Sequence, residues 1–212
     1  MQTVALIDYG SGNLRSAEKA LRVAARDTAC DVIVTDDPSV IARADRVVLP
    51  GVGAFAACMS ALQARPGVIE AMTSAVQGRG APFLGVCVGM QLLATRGREF
   101  GETAGLGWIS GEVHKIAPDS PACKIPHMGW NSLEGDLAAS LFTGLPAGTH
   151  MYFTHSFALF TDHAADVIAW TDHGGRVTAA VCSGNVAGVQ FHPEKSQGAG
   201  ARFLSNFLEW RP

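Results

Sequence analysis

Apolar positions in the first half of the chain come in short runs, separated by segments with a helical repeat. Thr3–Asp8 is an apolar run closed by the turn-like stretch Tyr9–Gly12, which predicts a buried strand. Asn13 is placed to cap the next segment, in which Leu14, Ala17, Ala20, Leu21 and Ala24 recur at helical spacing. Asp31–Thr35 and Arg46–Leu49 predict two more short strands, the second stopped by Pro50–Gly51. Helices are predicted over Ala54–Leu62 and Val68–Val76, a fourth strand over Pro82–Val86, and a further helix beginning with Met90–Ala94. Buried strands alternating with helices predict an α/β fold with a mostly parallel central sheet flanked by helices on both faces.

The pattern changes in the second half. Val113–Ile116, His150–Ala158, Val167–Trp170, Val177–Cys182 and Val186–Gln190 are strand-like and closely spaced, and polar turns such as Asp172–Gly175 and Ser183–Asn185 join several of them. This predicts antiparallel strands in the C-terminal half, extending or flanking the sheet. Ala199–Glu209 reads as a closing helix with Phe203, Leu204 and Phe207 on one face. No repeat or linker divides the chain, so residues 1–212 are expected to form a single domain.

Composition narrows the function classes. At 212 residues and 48% hydrophobic, the chain can bury a substantial core. A net charge of −3, with no run of like charges, does not fit a nucleic-acid surface. No apolar stretch reaches the roughly 18 residues of a membrane span, and the N-terminus has no basic leader ahead of an apolar core. A cytoplasmic protein is expected. The five cysteines are widely spaced with no CxxC, and the seven histidines form no HxxxH pattern. Neither a disulfide framework nor a metal site is expected, and no cofactor.

Candidate chemistry concentrates in GVCVGMQ, residues 85–91. A Gly-x-nucleophile-x-Gly turn after a strand is so sharp that the flanking residues meet, and glycine avoids the clash. The turn pushes the nucleophile out of the sheet. It also places it at the N-terminus of a helix, where thiolate and oxyanion are favoured. The competing reading is a small buried cysteine. A thiol attacking a carbonyl needs a base and an oxyanion hole. In GVQFHPEKS, residues 188–196, His192 follows an apolar strand, Pro193 keeps it extended, and Glu194 can hold the imidazole in one tautomer. In LPGVGAF, residues 49–55, Gly51 and Gly53 let the backbone turn its N–H groups toward a ligand, although an ordinary Pro-Gly turn has the same sequence. KIPHMGWN, residues 124–131, with Pro126, Met128 and Gly129, is too irregular for a core strand and reads as a folded-back loop around a buried Trp130.

Together GVCVGMQ, the downstream HPE and the PGVG loop resemble class I, triad-type glutamine amidotransferases. IDYGSGN, KIPHMGWN, YFTHSF and GVQFHPEKSQ narrow the resemblance to the glutaminase subunits of imidazole glycerol phosphate synthases in histidine biosynthesis. It runs from about residue 3 to residue 209. It implies Cys87 as nucleophile, His192 as base and acid, and Glu194 as orienter. Oxyanion donors would come from Val88 and from Val52 or Gly53, and glutamine would be held by Gln91, Glu99 and the backbone of His155, Ser156 and Phe157. Glu99 also fits a solvated charge at a helix end. Asn13, His127, Trp130, Tyr152 and Lys195 would face a partner, a separate cyclase subunit with a (β/α)8 barrel, forming a heterodimer. Val88 and Phe157 stand where the family pattern has leucine and tyrosine, and Arg26–Ala29 replaces a glycine turn. The remaining cysteines, Cys30, Cys58, Cys123 and Cys182, read as packing residues. Two other readings stay open: a glutaminase serving purine, pyridoxal phosphate or anthranilate synthesis, and a catalytically silent binding module.

Overall fold

The structure, a computed structural model, describes residues 1–135, 137 and 140–212. Its main sheet has eight strands in the order β2 (Cys30–Thr35), β1 (Gln2–Ile7), β3 (Arg46–Leu49), β4 (Phe83–Val86), β14 (Val186–Val189), β13 (Arg176–Ser183), β12 (Val167–Asp172) and β9 (Glu134–Gly135). The run from β2 to β14 is parallel, and β13, β12 and β9 extend it antiparallel. A second sheet orders β11 (Phe157–Thr161), β7 (Gly111–Lys115), β5 (Arg96–Gly97) and β6 (Thr103–Ala104). A ribbon pairs β8 (His127–Ser132) with β10 (His150–His155). The central strands β3, β4 and β14 are buried at every position, as strands covered on both faces must be.

Strand order explains where the helices go. The connection from β1 to β2 steps one way across the sheet, and those from β2 to β3 and from β3 to β4 step the other way. Right-handed crossovers then put α1 (Leu14–Ala24) on one face and α2 (Pro38–Ile41), α3 (Phe55–Gln63) and α4 (Val68–Thr73) on the opposite one. Accordingly α1 packs on α6 (Gln197–Glu209), while α4 packs on both α2 and α3. The reversal lies between β1 and β3. Loops after β1, β3, β4 and β14 therefore open together at the carboxyl edge of a topological switch point, where such sheets bind ligands. No helix among the described residues is long and apolar enough to cross a membrane.

Several expected elements differ. The helix after Cys87 is a single turn, α5 (Val88–Gln91). It stops because the Leu92 and Leu93 carbonyls accept from the N–H groups of Leu106, Trp108 and Ile109 rather than from a continuing helix. With only one turn, its macrodipole is small. The run His150–Ala158 breaks at Ser156 into β10 and β11, which belong to different sheets. Residues 127–132 are a strand, and Trp130 on it is 46% exposed rather than buried. The helix predicted over Val68–Val76 ends at Thr73 and widens into a π turn over Ser74–Gly78.

The elbow around Cys87 is packed backbone against backbone. A Cβ on Gly85 would lie 2.5 Å from the Gly89 carbonyl oxygen, and one on Gly89 would land on the Leu49 carbonyl of the neighbouring strand. Backbone cannot swing aside as a flexible side chain can. Gly89→Ala should therefore destabilise the fold at the upper end of the overpacking range, by about 3 kcal/mol. In thermal unfolding that is a loss on the order of 10 °C for a chain of this size. An unchanged melting temperature would show that β3 and the elbow can part freely.

Candidate active site

Cys87 follows β4 directly, with φ 55° and ψ −112°. A non-glycine residue there stores strain on the order of 1–3 kcal/mol, which the surroundings must hold. Its N–H donates to the Val189 carbonyl on β14 at 2.7 Å, and its carbonyl accepts from the N–H groups of Met90 and Gln91. The thiol is buried, at 3% exposure, on the floor of a cleft of about 600 Å³. Gln190 Nε2 reaches the sulfur at 3.6 Å, and Gln190 Oε1 accepts from Gln91 Nε2 at 3.0 Å.

His192 leaves β14 beside this turn. Its N–H donates to the Tyr152 carbonyl at 2.9 Å, and the Ser196 hydroxyl donates to its own carbonyl at 2.7 Å. The same hydroxyl accepts the Tyr152 N–H, so one serine staples the histidine loop to β10. His192 Nδ1 lies 2.8 Å from Glu194 Oε1, and both side chains are almost fully buried. Burial works against an imidazolium here. The neighbouring Cys87 and Glu194 side chains outweigh it and push His192 up to about 9. Burial likewise opposes the Glu194 carboxylate, yet the bonds from His192 and Asn13 keep it below the usual range. A buried acid held ionised, an imidazole bonded to it and a thiol lining the same cleft as the imidazole form a nucleophile–base–orienter set.

The loop after β3 is held by its carbonyls. Tyr9 Oη donates to Pro50 O at 2.7 Å, Val88 N–H to Gly51 O at 3.4 Å, and Cys58 Sγ to Val52 O at 3.3 Å. Burial drives the Tyr9 phenol far above its ordinary value, so it acts purely as a neutral hydroxyl. The Val88 N–H therefore faces a carbonyl, and an oxyanion hole is not assembled in this geometry.

Of the other expected residues, Val52, Gly53, Gln91, Glu99, His155, Ser156, Phe157, Asn13 and Lys195 all line the cleft. Glu99 does so while accepting the Phe55 N–H at 2.8 Å, a carboxylate at the start of α3, where the helix end favours it. Gln91 Nε2 also donates to Phe157 O at 2.8 Å. Trp130 and Tyr152 form an edge-on pair outside the cleft, with Lys195 Nζ 5.7 Å over the tyrosine ring. No group of three or more His, Cys, Asp or Glu among the described residues is arranged to hold a metal ion.

The sequence matches the family model for glutamine amidotransferase class-I over residues 5–210. It is 63% identical to imidazole glycerol phosphate synthase subunit HisH of Caulobacter vibrioides, with 100% of each chain covered. The subunit of the same name from Rhodospirillum rubrum is 54% identical, over 99% of each chain. The chain belongs to the class I glutamine amidotransferases, in the HisH group. In fold it resembles the structure of PurLQS from Thermotoga maritima (TM-score 0.72, 20% identity, 98% of each chain). A crystal structure of a glutamine amidotransferase gives a TM-score of 0.71 at 18% identity, over 97% of each chain.

Three features of this amidotransferase site differ from the sequence reading. Asn13 does not cap α1: its side chain makes no capping bond and instead donates to Glu194 Oε1 at 3.1 Å. Its own Oδ1 accepts the Ser11 hydroxyl, so the amide is oriented from both ends. His127 is buried, at 3% exposure, behind His155 and not on an outer face. Cys58 is not only packing, because its thiol holds the Val52 carbonyl. Sequence reasoning also missed Gln190 and Tyr9. A glutamine closing the apolar run Val186–Gln190 was the available signal for the first, which the structure buries completely. Tyr9 offered none, since its role depends on a loop 41 positions away.

Proposed function

We propose that the chain is the glutamine-hydrolysing subunit of an imidazole glycerol phosphate synthase, releasing ammonia for a cyclase in histidine biosynthesis. The observation that carries this reading is Cys87 and His192 lining one cleft, with Glu194 hydrogen-bonded to the imidazole. Glutamine lies against Gln91, Glu99 and the His155–Phe157 wall. His192 already holds the thiol proton when Cys87 sulfur attacks the side-chain amide carbon. It then gives that proton to the departing nitrogen, leaving ammonia and a γ-glutamyl thioester. Water adds next, with its proton passing to His192, and glutamate leaves as the thiol is restored. Glu194 stabilises the imidazolium throughout.

The ammonia goes to a separate (β/α)8 barrel subunit in a cytoplasmic heterodimer. There it converts a ribulosyl-phosphate aminoimidazole carboxamide nucleotide into imidazole glycerol phosphate and an aminoimidazole carboxamide ribotide. Support for a partner face comes from Met128 and Trp130, exposed at 63% and 46% beside Tyr152 and Lys195. The test is ammonia release from glutamine by the chain alone, with its cyclase, and with cyclase plus cyclase ligand. Activation instead by a synthase of purine or anthranilate formation would overturn the assignment.

The same experiment reads a switch. At 3.4 Å the Val88 N–H to Gly51 O bond is long for its type, so the Gly51–Val52 peptide is lightly held. Rotating it exchanges the Gly51 carbonyl for the Val52 N–H and completes the oxyanion hole. One such donor is worth roughly 10²–10³ in rate. The partner must bind the two orientations with different affinity to shift them. A proline at 51 is a poor probe, because a Cβ there meets Gly89 N at 2.6 Å. Val52→Pro removes the incoming donor instead. It should cut the ligand-stimulated rate about 10²–10³-fold. Full stimulation in that variant would place the donor elsewhere.

A further inference from the structure

The Phe157 carbonyl, at the bend between β10 and β11, accepts two hydrogen bonds: from Gln91 Nε2 at 2.8 Å and from His155 Nδ1 at 3.0 Å. A carbonyl only accepts, so His155 carries a proton on Nδ1. Its Nε2 lies 3.0 Å from His127 Nδ1. On the far side, His127 Nε2 meets the Asn131 amide nitrogen at 3.2 Å. That nitrogen only donates, and its orientation is fixed independently. Asn131 Nδ2 also donates to Asp172 O at 2.7 Å, while Oδ1 accepts the Ser132 N–H at 2.9 Å. His127 must therefore accept at Nε2 and donate at Nδ1, and His155 must accept at Nε2. One proton arrangement satisfies every contact: Asn131 to His127 to His155 to the Phe157 carbonyl, with both rings neutral.

The surroundings agree. His127 stacks on Phe153 and on His173, at centroid distances of 4.7 and 4.1 Å. Burial, then the neighbouring imidazoles, hold His127 down to about 3, and burial holds His155 down to about 4. In the opposite tautomer His155 would aim a lone pair at the Phe157 carbonyl, and the bend would lose one of its two donors.

We propose that Asn131, His127 and His155 form a tautomer lock, in which His127 is a positioning residue acting through His155 on the Ser156–Phe157 wall of the glutamine cleft. The proposal rests on the glutaminase reading above. It also joins two surfaces. β8 carries His127 inward and the exposed Met128 and Trp130 outward, so the ribbon of the candidate partner face is bonded directly to the substrate wall.

His127→Phe keeps the stacked ring but has no donor, and leaves His155 Nε2 unsatisfied. In the complex it should raise KM for glutamine about tenfold with kcat within about twofold. His127→Asn restores an N–H near the Nδ1 position and should return KM to within about threefold of the parent. Nitrogen NMR of the full chain labelled at histidine should find both imidazoles neutral and protonated at Nδ1 near neutral pH, whatever the variants do. An unchanged KM in His127→Phe, an Asn variant no better than Phe, or either ring cationic or protonated at Nε2 would overturn the lock. A parent complex that releases no ammonia from glutamine would instead sink the glutaminase reading, with the tautomers still deciding the lock.

Discussion

Exchanging Cys87 for alanine should lower glutamine hydrolysis by the complex on the order of 10⁶-fold, the loss seen when a triad nucleophile is removed. Among the cysteines, Cys87 alone sits at positive φ and lines the cleft, which His192 lines as well. Cys58, the other buried thiol, is turned to the Val52 carbonyl, and burial raises it above its ordinary value, which makes it a poorer nucleophile. The variant complex should still cyclise when supplied with ammonium salt, because the cleft and the partner face are untouched. Ammonia release and cyclisation are measured side by side. Hydrolysis that survives in the variant would mean a second nucleophile. Loss of the ammonium-dependent reaction would mean that Cys87 supports the assembly rather than the chemistry.

The second large effect separates His192 from Glu194. His192→Ala should cost about as much as Cys87→Ala, because the proton has no other carrier, whereas Glu194→Gln should cost about 10⁴ or less. Asn13 matters to that difference. Glu194 Oε1 accepts from both His192 and Asn13. A glutamine that turned its NH₂ to this position would meet the NH₂ of Asn13 head-on. Asn13 therefore keeps the glutamine carbonyl toward His192, and the imidazole retains its tautomer. Removing Asn13 as well should deepen the loss beyond the sum of the single changes. Steady-state hydrolysis of the set decides it, and a Glu194→Gln variant worse than His192→Ala would reverse the roles.

What could be read from the sequence follows a physical line. Arg46–Leu49 was legible to the residue because a short apolar run stopped by Pro-Gly has one interpretation, a buried strand. The elbow and the His-Pro-Glu turn were legible because each is local. Pro193 holds His192 extended, at φ −103° and ψ 97°, within its own segment. What failed is non-local. β10 and β11 are one run in the pattern, and only their separate partners divide them at Ser156. α5 looks longer because Leu92 and Leu93 are helix formers, and Leu106 and Trp108 take their carbonyls from a distance. Asn13 has the chemistry of a cap, but a buried carboxylate 181 positions away offered its amide a charged acceptor, a stronger bond than a neutral one.

The ladder between β4 and β14 pairs Val86 with Val189 and continues through the Cys87 N–H to the Val189 carbonyl. Nucleophile and base thus leave adjacent rungs of the same parallel pair, although nearly half the chain separates them in sequence. Their spacing rests on peptide geometry, with one anchor from the intervening segment, the Tyr152 bonds to His192 and Ser196. Beyond that anchor the segment, with its second sheet and its ribbon, is an elaboration in the evolutionary sense. It can lengthen, shorten or be rebuilt for a new client enzyme, changing which substrate wall and which docking face the cleft acquires. The distance over which the proton moves would stay the same.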